Sequence, residues 1–129
     1  MTIAGLVLAG LAGLVHVYIF YLESIAWTSA RARAVFGIAS RADAETTKAL
    51  AFNQGFYNLF LAIAIAAGIV FFASGAVTVG ATLVFVGAGS MVAAGLVLLL
   101  SDPSKAGAAL KQLVLPLLGV VALAIGLAF

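Results

Sequence analysis

Residues 50–72 read LAFNQGFYNLFLAIAIAAGIVFF, a run without a single Asp, Glu, Lys or Arg. An α-helix rises ~1.5 Å per residue, so about 20 residues cross the ~30 Å of hydrocarbon in a bilayer. The run therefore predicts a transmembrane helix. Its opening, NQGFYN, carries amides that cost free energy in hydrocarbon unless they find partners.

Three further apolar runs of similar length accompany this one. We predict spans at about residues 3–24, 50–72, 77–100 and 108–128, with a charged cytoplasmic loop at about 28–48. Of the 129 residues, 66% are apolar and 8% charged, and the mean hydropathy is +1.32, which excludes an ordinary soluble domain. The first run has no basic residue before it and no convincing cleavage site, so we expect a retained span and not a signal peptide.

The connections between the runs determine the expected architecture. Short connections force neighbouring helices to be antiparallel. The predicted fold class is therefore all-α, an integral membrane four-helix antiparallel bundle that forms a single transmembrane domain over residues 1–129.

The basic residues are confined to two of the connections. They are Arg31, Arg33, Arg41, Lys48, Lys105 and Lys111. Because Lys and Arg accumulate in short cytoplasmic loops, we expect both charged loops inside and both termini outside, in a multi-pass protein of the inner (plasma) membrane. The net charge of +2 is then a topology signal, and we expect membrane lipid as a partner and no nucleic acid.

The long connection leaves two structural alternatives open. Its sequence IAWTSARARAVFGIAS suits an interfacial helix, but the first span could also continue past the headgroups and end near Gly37. Ser40 or Asp43 is expected to cap the second span. Asp102 and Pro103 are expected to cap and open the fourth span after a tight turn.

Small residues recur at helical spacing in three of the spans. The stripes are Gly5, Ala9 and Gly13; Gly80, Gly87 and Ala94; and Gly119, Ala122 and Gly126. Small residues let helix backbones approach closely in lipid, so we predict packing within the chain ahead of homo-oligomer contacts, which stay open. Pro116 is expected to kink the fourth span and to free the carbonyl near Gln112.

The polar residues of the spans are expected to form one pocket. They are His16, Glu23, Asn53, Gln54, Tyr57, Asn58 and Gln112. His16 and Glu23 are two helical turns apart on one face, and the four residues of the second span fall on an arc of ~140°. Depth along the helices places His16 level with Asn58, so we predict a polar pocket open to the cytoplasmic half.

Each of these residues also has a structural interpretation. The amides and Tyr57 could be interhelical hydrogen bonds that set register. Glu23 could reach the surface or pair with Arg31 or Arg33. His16 is expected to be a neutral imidazole hydrogen-bonded to Asn58, and a proton-accepting or ligand-orienting role is the sharper hypothesis.

Several kinds of site are excluded or disfavoured. The chain has no cysteine, which excludes disulfides, thiolate metal ligands and cysteine nucleophiles. One histidine and one carboxylate two turns apart do not make a usual metal site. No phosphate loop, dinucleotide fingerprint or nucleophilic triad is present, so we expect no cofactor, no metal and no catalytic residue.

Two segments carry a family resemblance. The runs GLVHVYIFYLESIAWTSARARAVFG and TTKALAFNQGFYNLFLAIAIAAG resemble domain-of-unknown-function family 1304, and Gln112 with Pro116 matches a looser pattern in the last span. The resemblance implies a four-helix membrane protein and no assigned activity. The chain departs from the family at Leu59, where members often have glycine.

These observations lead to three functional hypotheses. The first is binding or transport of a small molecule or proton through the polar pocket. The second is a non-catalytic accessory or scaffold subunit of a larger membrane complex. An enzyme comes third, because no nucleophile or cofactor motif accompanies His16 and Glu23.

Overall fold

The computed structural model describes residues 1–129 and is helical throughout, with no strand. Its elements are α1 (Thr2–Phe20), which continues into a π-helical turn (Tyr21–Ile25), α2 (Ala30–Phe36), α3 (Arg41–Ala73), α4 (Val77–Ser101), a 3-10 turn (Pro103–Lys105) and α5 (Ala106–Ala128). The all-α fold class is confirmed.

Four helical segments are long and apolar enough to cross a bilayer. They are α1 with its π-helical turn, α3, α4, and α5 with the 3-10 turn. Large apolar side chains such as Ile3, Phe60 and Val97 are exposed on their outer faces. Contiguous apolar surface of this kind is covered by lipid in a membrane. These are the features of a multi-pass membrane protein.

The four long helices pack as a ring around an apolar core. Helices α1 and α4 are diagonal to each other, and each packs against both α3 and α5. The order of contacts shows that α1 and α5 are antiparallel: the Thr2 hydroxyl donates to the Gly126 carbonyl at 2.9 Å, and Gly5 lies against Leu123. The central core cluster comprises Ala9, Ala12, Ile65, Val84, Ala88, Met91 and Leu123.

The predicted small-residue stripes pack inside the chain. A Cβ on Gly5 would overlap the Leu123 backbone, and a Cβ on Gly80 would overlap the backbone of Phe72. Only glycine permits this approach, which replaces the hydrophobic driving force that lipid does not supply. Ala94, the last member of the second stripe, is exposed instead.

A separate short helix forms in the long connection. Helix α2 begins at the cap residue Ser29, whose hydroxyl accepts the Ala32 N–H at 3.1 Å, and ends at Gly37 with φ 69°. The first span therefore does not continue to Gly37 but ends at Ile25. The Trp27 indole N–H fastens this connection to α3 by donating to the Ala44 carbonyl at 3.0 Å.

Two capping predictions are resolved. The Ser40 hydroxyl caps α3 by accepting the Asp43 N–H at 3.0 Å, so Ser40 and not Asp43 is the cap. Pro103 opens the 3-10 turn as expected. Asp102 occupies the cap position of this turn as expected, but its side chain makes no cap hydrogen bond: the carboxylate accepts the Ser104 hydroxyl and pairs with Lys105 at 3.5 Å.

Candidate functional site

The centre of the candidate site is a hydrogen-bonded pair of the buried Glu23 and the half-buried Asn58. The Asn58 Nδ2 donates to Glu23 Oε2 at 2.8 Å, and Glu23 is only 9% exposed. Glu23 belongs to the π-helical turn, a distortion that often marks functional positions. A carboxylate of the first span is thereby joined to an amide of the second.

Gly55 lets the π-helical turn come this close to α3. A Cβ on Gly55 would overlap the Ser24 hydroxyl, and that hydroxyl donates to the Phe52 carbonyl at 2.8 Å. Gly55 is not among the site residues predicted from the sequence. Its signal was present in the chain, since this glycine lies in the middle of the polar run NQGFYN.

Beside the pair, a groove of about 350 Å³ opens at the end of the molecule that carries the charged connections. Its lining comprises Glu23, Trp27, Thr47, Leu50, Ala51, Asn53, Gln54 and Tyr57. The side chains of Asn53, Gln54 and Tyr57 are exposed and make no hydrogen bond within the chain. Half of the lining is apolar, so the groove suits a ligand with both polar and apolar parts.

Glu23 has no cationic partner. The three ion pairs of the structure are Arg41–Glu45, Lys48–Glu45 and Lys105–Asp102, all on exposed side chains. The alternative that pairs Glu23 with a loop arginine is therefore wrong: Arg31 donates to the Tyr18 hydroxyl at 3.2 Å, and Arg33 Nε is buried without a partner. Glu23 does not reach the surface either, because it is buried against α3.

His16 lies apart from this pair. It is 3% exposed, and its Nδ1 donates to the Ala12 carbonyl at 2.9 Å, because a carbonyl oxygen can only accept. The expected hydrogen bond between His16 and Asn58 is absent, since Asn58 is paired with Glu23. The reason is packing: by helical spacing His16 lies on the side of α1 that carries Gly5 and Ala9, and both of these residues contact α5.

The register of the α1–α5 seam predicts the position of Gln112. Thr2 meets Gly126, Gly5 meets Leu123 and Ala9 meets Gly119, so each step along α1 is matched by an equal step back along α5. Continued by seven residues, or about two turns, this register places Gln112 level with His16 on the facing side of the seam.

The seven predicted residues thus divide into two groups. The register assigns His16 and Gln112 to the α1–α5 seam. The groove and its supporting pair contain Glu23, Asn53, Gln54, Tyr57 and Asn58. The groove is also lined by Trp27, which is not among the site residues predicted from the sequence.

The chemistry of the groove is recognition by hydrogen bonds. It offers a carboxylate with one unoccupied oxygen, two free amides and a phenol. Nowhere in the structure do three or more His, Asp or Glu side chains come together in a metal-binding arrangement.

The comparison with protein families agrees with these features. The family model described as "Protein of unknown function (DUF1304)" matches residues 10–124. The chain belongs to this family. No curated protein and no solved structure matches it. The matched segment includes all seven polar residues, and the function of the family is unknown.

Proposed function

We propose that this protein binds a small molecule in the groove beside Glu23. The observation that carries the proposal is a buried carboxylate with one hydrogen bond, no cationic partner and free amides around it. Burying such a group is costly unless a partner compensates it. A bound ligand that donates hydrogen bonds to Glu23, Asn53 and Gln54 supplies that compensation.

The distribution of polar groups favours binding over passage through the molecule. The core cluster beyond His16 is formed entirely by Ala, Ile, Val, Met and Leu side chains. A transported polar molecule or proton needs a succession of partners, and this cluster offers none. The proposal is therefore a binding protein whose site opens at one end.

A second candidate is an accessory subunit of a larger membrane complex. Asn53 and Tyr57 are exposed on α3, and Tyr57 is 59% exposed. A polar side chain on the outside of a transmembrane helix could be satisfied by a partner helix instead of a ligand. Under this alternative the groove is one half of a protein interface.

The orientation of the protein in the membrane decides to which side the groove opens. We propose that the charged connections are cytoplasmic, that both termini lie outside, and that the membrane is the inner (plasma) membrane, so the groove opens to the cytoplasmic half. The absence of cysteine makes this testable with single-cysteine variants. In intact cells a membrane-impermeant maleimide should label Thr2→Cys and Phe129→Cys but not Arg41→Cys, and the reverse pattern contradicts the proposal.

Native mass spectrometry of the protein released from its own membrane tests the binding function. The wild type should carry one additional small molecule per chain. Gln54→Leu should reduce its occupancy by about tenfold, because a 1.4 kcal/mol loss of binding free energy is a factor of ten. Gln112→Leu is the matched control and should keep it. Equal occupancy in Gln54→Leu and Gln112→Leu contradicts binding in the groove. A bound partner protein instead of a small molecule supports the accessory subunit.

A further inference from the structure

The seam between α3 and α4 is closed at one end. Gly80 lies against Phe72 and Gly68, and Gly87 lies against Leu61 and Ile65, each close enough that a Cβ would meet these atoms. The contacts run in opposite directions along the two helices, so the register of the seam is defined. That register can be continued toward the groove.

Continuing the register brings Gln54 opposite Ala94. Gln54 lies seven residues, or about two turns, before Leu61 in α3, and Ala94 lies seven residues after Gly87 in α4. A step of about two turns keeps a residue on the same face of its helix. In a closed seam both would be buried. Both are exposed.

The two helices therefore diverge at the end that carries the groove. No α4 residue lines the groove. Helix α4 stays on α5 at this level, because Gly95 lies against the Leu113 side chain. Helix α3 is held on the other side by Trp27 and by the Glu23–Asn58 pair.

We infer that this gap is a lateral opening from the bilayer into the groove, and that it takes an amphiphile with an ammonium head at Glu23 and an alkyl chain between α3 and α4. The inference rests on the proposed binding function. Leu50 and Ala51 of α3 line the groove with apolar surface that suits an alkyl chain, since burial of each CH₂ contributes about 0.8 kcal/mol. A polar solute would instead enter from the aqueous end.

The charges identify the head group. Glu23 is the only buried acidic residue; Asp43, Glu45 and Asp102 are solvent-accessible, and each makes a polar contact of its own. Asn58 occupies Oε2 of Glu23 and leaves Oε1 free. An ammonium group has three donors and a positive charge, so it can bond Oε1 and compensate the buried carboxylate.

Trp27 is the only tryptophan and lines the groove, so its fluorescence reports on occupancy. In phosphatidylcholine nanodiscs, dodecylamine should produce a saturable emission change and bind at least about tenfold more tightly than dodecanol. Glu23→Gln should abolish that preference. Equal affinities of the wild type for the amine and the alcohol would overturn the ammonium assignment.

A neighbouring pair of variants tests the opening. Ala94→Phe places a large side chain in the gap and should weaken dodecylamine binding by at least about tenfold. Ala93→Phe is the control, because Ala93 is also exposed but is turned by one helical position away from α3. Its affinity should stay within about twofold of the wild type. Equal effects of the two substitutions contradict a lateral opening between α3 and α4.

Two further measurements separate the ligand source and the underlying function. Phosphatidylethanolamine added to the nanodiscs should compete with dodecylamine if the ligand is a bilayer lipid, and should not if it is a free amine. If dodecylamine fails to bind while the wild type still carries a molecule lost in Gln54→Leu, the ammonium amphiphile is wrong and small-molecule binding stands. If dodecylamine does not bind and the wild type carries no molecule that Gln54→Leu loses, both the ammonium amphiphile and small-molecule binding in the groove are wrong.

Discussion

The two ends of the molecule are built from the same helices in different ways. At the end with the termini, glycines such as Gly5 and Gly80 bring backbones into contact, and the seams are closed. At the end with the charged connections, a carboxylate and amides replace small residues, and α3 leaves α4. Glycine contacts therefore close the α3–α4 seam at one end, whereas at the other end polar side chains of α3 line a groove to which α4 contributes no residue.

The largest expected effect is in the closed end. Gly80→Ala places a Cβ against the Phe72 backbone and should lower the free energy of unfolding in detergent by about 3 kcal/mol. Gly89→Ala, on the same helix, meets nothing within 4 Å and should raise it by up to about 1 kcal/mol through helix propensity. Chemical denaturation of both variants checks this. Equal destabilisation would mean that close approach at Gly80 does not hold the seam.

A smaller effect is expected at the open end. Asn58→Leu removes the partner of a buried carboxylate and should lower the free energy of unfolding by about 2 kcal/mol. Gln54→Leu should leave it within about 0.5 kcal/mol of the wild type, because Gln54 is exposed and its side chain has no partner. If Asn58→Leu is equally silent, the pair does not anchor the first span to α3.

Next in size is the coupling across the α1–α5 seam. The unfolding energies of His16→Gln and Gln112→Leu should be non-additive by about 0.5–1 kcal/mol, because the register places the two residues opposite each other. Those of His16→Gln and Asn58→Leu should add within about 0.5 kcal/mol. A double-mutant cycle for each pair decides the matter, and the opposite result would restore the pairing of His16 with Asn58.

The smallest effect concerns the turn between α4 and α5, which is one of the two charged connections. The Ser104 hydroxyl, followed by Lys105, lowers the pKa of Asp102 below its usual 3.8. A lowered pKa stabilises the fold above the unfolded value, and this contribution is lost as pH falls through the folded pKa. Thermal unfolding between about pH 5 and about pH 2 should show a slightly steeper loss for the wild type than for Asp102→Asn. Parallel curves would exclude the contribution.

Much of the fold was predictable because membrane helices are specified locally. An uncharged run long enough to cross hydrocarbon has to be helical, since every backbone group must be bonded within the segment. The bounds of α4, Val77–Ser101, differ little from the predicted 77–100. The short turns and the glycine stripes then follow from spacing alone.

The candidate site was only partly predictable. Its polar residues were recognised because amides and carboxylates in an apolar run need partners. Their pairing was not, because helical geometry was extended through Glu23, where the chain forms a π-helical turn. The register of α3 against the first span was also inferred from the depth of each residue in the membrane. In the structure it is determined by the close contact of Gly55 with Ser24.

Composition, run length and residue spacing were enough to establish an all-helical chain with four membrane-length segments and the polar residues to be explained. These properties depend on neighbours along the chain, and hydrocarbon leaves the backbone one solution. The pairing of Glu23 with Asn58, the separation of His16 and the gap beside Ala94 emerged only when the helices were packed. They depend on rotation and divergence of whole helices, which contacts distant in sequence decide.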